Sequence, residues 1–284
     1  MISKVNIPKK QFNLFFSINT IFERTCVTIW SNKEMLRYTL YSRIVLNKKY
    51  LVGLEKGGKS VSIGFRILNR EQKVDPDLAN QFLELPVANV SDSMWRMTAG
   101  GSSLRPMHKA GQMAGAALTV KSRPGDNLML HKAIDMAEPG DIIVCDAGGD
   151  LTNSLMGELM LAHAAKRNVG GFVLNAAIRD VQAFLDVNLP VFAAGVSHRG
   201  PYKDGPGEIN VPVAIDGMVI EPGDLVIGDW DGVLAVPFDD VQRVLELTIS
   251  KQKTEVDQMA EIESGTSDRS WIDKTLKERG CKMP

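Results

Sequence analysis

The sequence predicts an α/β fold with a parallel βαβ core, a β-rich second layer and a long C-terminal helix. Three observations carry this. Between residues 115 and 194, strand-length apolar runs alternate with helical patterns, as parallel crossovers require. After Gly200, short apolar runs are separated by turns such as Asp216-Gly217 and Asp231-Gly232, the pattern of a β meander. Over residues 239–263 the apolar side chains recur at helical spacing.

In order, residues 74–99 read as helical. Val74-Asp75-Pro76 opens the segment, and Leu78, Phe82 and Leu85 follow at helical spacing. A second helix start is expected at 88–93, with Met94 and Met97 inside it and Gly100-Gly101 as its stop. Residues 115–120 form a short apolar strand, 124–127 a turn, and 128–137 a helix ended by Pro139-Gly140. Residues 141–146 read as a buried strand, 147–149 as a loop, and 152–167 as a helix with Leu155, Leu159 and Ala162 on its apolar side. A strand at 172–174, a short helix at 181–187 and a strand at 191–194 complete the alternation. Short strands are expected at 211–215, 218–220, 225–228 and 233–236. The last helix uses Val241, Val244, Leu245, Val256 and Met259, and a helix of this length often packs on another subunit.

Composition excludes several function classes. The chain has 284 residues, of which 44% are hydrophobic and 24% charged, so disorder throughout and rod-like repeats are ruled out. With 33 basic and 34 acidic side chains there is no global field for nucleic acid or an anionic membrane, and neither partner is expected. No apolar stretch approaches the roughly 20 residues that span a bilayer. Cys26, Cys145 and Cys281 are too few and too scattered for a disulfide framework or a zinc cluster, which fits a reducing, cytoplasmic home.

The average conceals a seam. Residues 1–60 carry eleven Lys or Arg against three Glu, with no Asp and no Ala, so the rest of the chain is correspondingly acidic. A secretory signal is disfavoured because Asn13, Ser17 and Asn19 break the apolar run and no small-residue cleavage site follows. A basic arm is disfavoured because the charges are spread. Residues 1–60 are therefore expected to be an extension outside the core fold, with the main domain at 61–284. Residues 53–60 match the spacing of a phosphate loop, but that motif must open a helix. Val61, Ile63, Phe65 and Ile67 alternate at strand spacing instead, which favours a chance match.

In a parallel sheet, ligands bind beyond the carboxyl ends of the strands. One such end carries Asp146–Asp150 and another Asn175–Asp180, with Gly157, Glu158, Leu159 and Met160 between them in sequence. Backbone amides at that helix start suit an anion such as a carboxylate. In Arg179-Asp180, an Arg fork grips a carboxylate in bidentate fashion and an Asp holds a hard divalent cation. Spacing alone favours a capping surface turn over that reading. Glu158 is a candidate base, or a first-turn Glu facing the helix dipole. His108, His131, His163 and His198 show no metal-ligand spacing and read as hydrogen-bonded residues.

Seven segments in order carry a resemblance. They are Pro124-Gly125-Asp126-Asn127, Glu138-Pro139-Gly140-Asp141, Gly157-Glu158, Ile178-Arg179-Asp180, His198-Arg199-Gly200-Pro201, Pro206-Gly207-Glu208-Ile209-Asn210 and Gly228-Asp229-Trp230-Asp231-Gly232-Val233. Through them residues 80–263 resemble the family of the regulator of ribonuclease activity A and the 4-hydroxy-4-methyl-2-oxoglutarate aldolases. The resemblance implies a swivelling β/β/α fold, assembled as a trimer or hexamer with sites between subunits. It implies that Arg179 binds a pyruvyl carboxylate, that Asp180 is the ligand of Mg²⁺ or Mn²⁺, and that the backbone of residues 157–160 binds substrate. Glu158 resembles an acid that positions a catalytic water, and Glu255 the acid supplied by a neighbouring subunit. The implied reaction is cleavage of a 4-hydroxy-2-oxo acid to pyruvate, with oxaloacetate decarboxylation through the same enolate. The alternative is a non-catalytic regulator that binds a ribonuclease or helicase. Retention of Arg179, Asp180 and Glu158 together points to the enzyme. No Lys falls at these strand ends, so no Schiff base is expected. One departure is Asn175-Ala176, where many aldolases of the family read Asp-Gly, implying a differently shaped loop.

Overall fold

The computed structural model describes residues 63–98, 100 and 103–283. The expectations for the basic extension at 1–60, its boundary with the main domain and the phosphate-loop spacing at 53–60 lie outside the described residues.

The centre is four parallel strands in the order β3 (Met113–Ser122), β4 (Ile142–Met156), β5 (Gly171–Ile178) and β6 (Val191–Val196). Their apolar runs are buried on both faces, as parallel strands under two layers must be. Antiparallel neighbours extend the sheet: β2 (Arg105–Pro106) on β6, β7 (Gly207–Ile209) on one end of β3, and β10 (Leu225–Asp229) on the other. Of the strand spacing read at 61–67, residues 65–67 form β1 (Phe65–Ile67), which pairs parallel with β7, while Ile63 and Gly64 lie in a turn and residues 61–62 are outside the described ones.

Three helices cover one face: α3 (Leu128–Met136), α4 (Glu158–Lys166) and α5 (Val181–Val187). Leu130, Ile134, Leu161 and Phe184 pack there against Val120, Ile143, Phe172 and Leu174. On the other face Val144, Val173 and Phe192 meet the hairpin of β8 (Val213–Ile215) and β9 (Met218–Ile220). The hairpin of β10 with β11 (Gly232–Val236) packs against α1 (Pro76–Asn80), α2 (Val87–Ser93) and α6 (Val241–Ser264). The expected β-rich layer is thus present, and part of it is continuous with the central sheet through β3.

Four expectations need correction. The helix read at 152–167 begins only at Glu158, because β4 runs on to Met156 and satisfies its backbone against β5, with Ser154 opposite Ala177 and Met156 opposite Ile178. Gly148 and Gly149, both at φ near +70°, bend the strand where a loop was expected. Leu159 accordingly leaves the expected apolar side and is 86% exposed. Likewise β5 extends to Ile178 rather than stopping at Leu174. Helix α2 stops at Ser93, because Trp95 and Arg96 turn left-handed, and Met97 projects into solvent. A further helix, α7 (Ser270–Glu278), was not legible as a core element because it buries no residue.

Helix α6 is buried only at Val241, Val244, Leu245 and Thr248; farther along, Val256, Met259 and Ile262 are each more than half exposed. Among the described residues, no helix is long and apolar enough to cross a membrane.

Candidate active site

The extensions of β4 and β5 bring the predicted residues together. Arg179 N donates to Met156 O at 3.0 Å, so both strands end side by side and release their chains toward one point. From there β4 passes through Gly157 into α4, and β5 through Arg179-Asp180 into α5. A cavity of about 110 Å³ lies between, lined by Gly157, Glu158, Leu159, Met160, Arg179 and Asp180 among others. All the residues predicted for one chain's own site are therefore in one wall.

Asp180 adopts φ +57°, a left-handed conformation that Asp tolerates better than most residues. This turns its carboxylate back across the strand ends, where Oδ2 accepts the Glu158 N–H at 3.0 Å. Arg179 Nε lies 3.7 Å from the same oxygen, with both side chains 44% exposed, a loose pair that contributes little to stability. Gly157 is required by this approach. A Cβ there would lie 2.5 Å from Asp180 Oδ2 and 3.1 Å from Arg179 Nε. The Arg179 fork rests against Gly200, whose Cβ would come within 3.3 Å of Nη1.

The loop after β6 forms the opposite wall and is pinned through two of the quoted segments. Ser154 N and Oγ donate to Arg199 O at 2.8 and 3.0 Å, and Asn153 Nδ2 donates to Gly200 O. Buried Asp126 accepts Asp204 N and Gly205 N at 2.8 and 2.9 Å. Tyr202 N donates to Gly125 O, and Asn127 N to Tyr202 O.

This pinning places Lys203, Pro201, His131 and Asn127 in the cavity wall, none of which was predicted. Asn127 and Pro201 lie inside segments that carried the resemblance, and Lys203 lies two residues beyond one. His131 was read as a bland hydrogen-bonded residue because it lacks metal spacing. Burial, with the Lys203 ammonium adding to it, holds the His131 imidazole below its ordinary pKa. Elsewhere, Cys145 is fully buried and burial pushes its thiol up, consistent with a core role.

Glu255 is not among the lining residues. It sits on α6, with Oε2 accepting Asn89 Nδ2 at 2.7 Å and Oε1 at 3.0 Å from Lys251 Nζ.

Among the described residues, no three His, Cys, Asp or Glu side chains converge tightly enough to make a metal cage. Asp180 is different in kind. Its Oδ2 is engaged by Glu158 N, whereas Oδ1 accepts no hydrogen bond from the described residues and the side chain is half open to the cavity. One hard carboxylate oxygen beside solvent fits Mg²⁺ or Mn²⁺, which retain several waters, better than Zn²⁺ with an all-protein shell.

Comparison with known proteins gives the family and the fold. A family profile described as RraA-like, Aldolase/RraA, matches residues 87–235. A protein of Halalkalibacterium halodurans named "Putative 4-hydroxy-4-methyl-2-oxoglutarate aldolase" is 39% identical over 176 residues, 62% of this chain and 84% of that one. Among solved structures, an uncharacterized protein from Pseudomonas syringae gives a TM-score of 0.63 at 24% identity, over 69% of this chain and 96% of that one. Streptomyces coelicolor RraAS2, described as an unusual member of the RNase ES inhibitor RraA protein family, gives 0.60 at 22% identity, over 65% and 96%. These two structural likenesses show the fold.

Proposed function

The chain belongs to the RraA-like, Aldolase/RraA family, and on that premise we propose that it is a divalent-metal-dependent aldolase. It releases pyruvate from a 4-hydroxy-2-oxo acid of the 4-hydroxy-4-methyl-2-oxoglutarate or 4-carboxy-4-hydroxy-2-oxoadipate type, and decarboxylates oxaloacetate in the same cavity. The observation that carries this reading is the convergence of the Arg179 fork, the start of α4 and the free oxygen of Asp180 on one cavity.

Arg179 binds the substrate carboxylate through its two parallel donors. The Leu159 and Met160 amides in the first turn of α4, which lack partners within the helix, add donors on the same side. Asp180, with water, would hold Mg²⁺ or Mn²⁺, which would supply Lewis acidity at the 2-oxo group. Glu158, on the cavity wall, takes the 4-hydroxyl proton through a water. When the carbon–carbon bond breaks, Arg179 offsets the negative charge that develops on the former 2-oxo oxygen, and water then protonates C3 to give pyruvate.

Lys203 and His131 line the same cavity and serve the far end of the substrate, with the Lys203 ammonium facing its second carboxylate. Lys203 is solvent-exposed, whereas a Schiff-base amine needs a desolvated or cation-flanked site. On this reading Glu255 acts in a neighbouring subunit of a homotrimer or homohexamer, since its own chain holds it outside the cavity lining.

The test is pyruvate release from oxaloacetate and from 4-hydroxy-4-methyl-2-oxoglutarate, measured with Mg²⁺, with Mn²⁺ and in excess EDTA. Metal-dependent release from either is expected. Full activity in EDTA refutes the metal, and no release under any condition refutes the aldolase.

A further inference from the structure

Glu255 lies beyond the buried part of α6, and its side chain is 43% exposed. A glutamate in such a place is normally solvated and samples several rotamers. Here both carboxylate oxygens are held. Asn89 Nδ2 donates to Oε2 at 2.7 Å, and Lys251 Nζ lies 3.0 Å from Oε1.

Neither holder is itself loose. Asn89 is 6% exposed, between buried Val87 and Val90 on α2. The first amide of that helix, Val87 N, donates at 2.9 Å to Oδ2 of Asp229, itself buried. Asp229 Oδ1 accepts Asp231 N, so the Asp-Trp-Asp-Gly turn anchors the helix that carries Asn89. Lys251 is tethered from the other side by Asp92 Oδ2 at 3.0 Å, and Asp92 is in turn gripped by Arg96 at 2.6 Å. Buried carboxamides ordinarily satisfy backbone or other buried groups. Asn89 instead spends its donor on a carboxylate at the surface, two turns past the last buried residue of α6.

We propose that Asn89 and Lys251 are positioning residues that fix the Glu255 carboxylate in one orientation before it is presented to a neighbouring subunit. The inference rests on the reading of Glu255 as a carboxylate lent in trans, and deepens it. A group held at both oxygens arrives in place, and misplacement by about 1 Å can cost on the order of a hundredfold in rate. Proximity to the reacting atoms is Glu255's role; that of Asn89 and Lys251 is exercised through it.

The experiment uses the full chain with Mg²⁺ and 4-hydroxy-4-methyl-2-oxoglutarate, whose 4-hydroxyl proton must be removed. Pyruvate release is measured for Asn89→Ala, Lys251→Met, Glu255→Ala and the doubles with Glu255→Ala, alongside melting temperature and sedimentation. Asn89→Ala is expected to lower kcat about tenfold with KM moving less than about twofold, and to add nothing in the Glu255→Ala background. Lys251→Met is expected to lower kcat about threefold, with the same loss of effect in that background. Lys251 is on the helix surface, so this second cycle decides if Asn89→Ala does not assemble. Wild-type kcat in both holder variants while Glu255→Ala is impaired overturns the positioning role and leaves the reading of Glu255 intact. Equal losses with and without Glu255 show a structural pin between α2 and α6 and also overturn it. If Glu255→Ala itself keeps wild-type kcat, the reading beneath fails and the inference falls with it.

Discussion

Gly157→Ala tests the site at its tightest point. At φ −146° the backbone accepts alanine without strain, so the substitution acts through the new methyl alone. That methyl would sit 2.5 Å from Asp180 Oδ2, and Asp180 must retreat by about 0.9 Å to reach an ordinary contact near 3.4 Å. The retreat stretches the 3.0 Å bond from Glu158 N to the same oxygen and pushes on Arg179, whose Cγ and Nε would be 3.1 Å from the methyl. A hydrogen bond to a charged group contributes about 1.5–3 kcal/mol, while replacing Gly by Ala at a compatible position returns about 0.4–1 kcal/mol through the unfolded chain. Stability should therefore fall by no more than about 2.6 kcal/mol. Catalysis should suffer far more, because a displacement of about 1 Å at the groups that bind metal and carboxylate costs on the order of a hundredfold. The assay is metal-dependent pyruvate release, with circular-dichroism melting as the stability control and Lys166→Ala, exposed at the far end of α4 and outside the cavity lining, as a substitution that should be silent. A Gly157→Ala protein with kcat/KM within twofold of wild type would refute the reasoning, since it would show that Asp180 and Arg179 need not hold their places.

Four further outcomes are expected. Arg179→Lys should lose more than about tenfold in kcat/KM, roughly 1.4 kcal/mol of transition-state stabilisation, because a point charge cannot replace the fork; near-normal kinetics would leave Arg179 as a helix-capping residue. Lys203→Ala should raise KM about tenfold for a substrate with a second carboxylate and leave kcat within about threefold, as loss of uniform binding does; an unchanged KM would remove Lys203 from recognition. Mixing Asp180→Ala with Glu255→Ala under subunit exchange should restore part of the activity, because some clefts then combine both intact residues; an active monomer in sedimentation would contradict this. A chain beginning at Val61 should fold and retain turnover, since residues 1–60 differ in composition from the remainder; an insoluble or dead product would move the domain boundary.

The strand cores at 142–145, 172–174 and 191–193 were legible because each is a continuous apolar run, short enough for a strand and buried on both faces. Their extensions were not. Residues 147–154 are mostly Gly, Asp, Asn, Ser and Thr, several of which are depleted in strands, and they pair with β5 through repeated register shifts. Leu155 and Leu159 also happen to stand four apart, which imitates a helix face, although one is a strand residue and the other points to solvent. The consequence reached the site. Glu158 was expected in a first turn, and because the helix opens at Glu158 itself its backbone N–H is free to hold Asp180. Residues paired in sequence, such as Arg179 and Asp180, were found; Lys203 and His131 come from different segments that only the pinned loop brings together.

Asn175 shows how a departure from a family pattern can be local. It is the cross-strand partner of Asp146, and its Nδ2 donates to Asp146 Oδ1 at 2.9 Å, with Gly148 N on the same oxygen at 3.0 Å. An aspartate at 175 would set a second acceptor against that carboxylate, and like charges directly opposite are destabilising. Asn175 and Asp146 therefore fit each other, and Ala176 is buried within the strand rather than forming a turn. Beyond them β5 stays paired through Ile178, and Arg179 N still donates to Met156 O. The expected change in loop shape thus does not reach the end of the strand that delivers Arg179 and Asp180. Neither Asn175 nor Ala176 lines the cavity. Selectivity among 4-hydroxy-2-oxo acids, on the proposed function, is accordingly set by the side chains that face the part of the substrate beyond its 2-oxo group. Those are Glu158 at the start of α4, His131 on α3 and Lys203 on the loop that Asp126 pins.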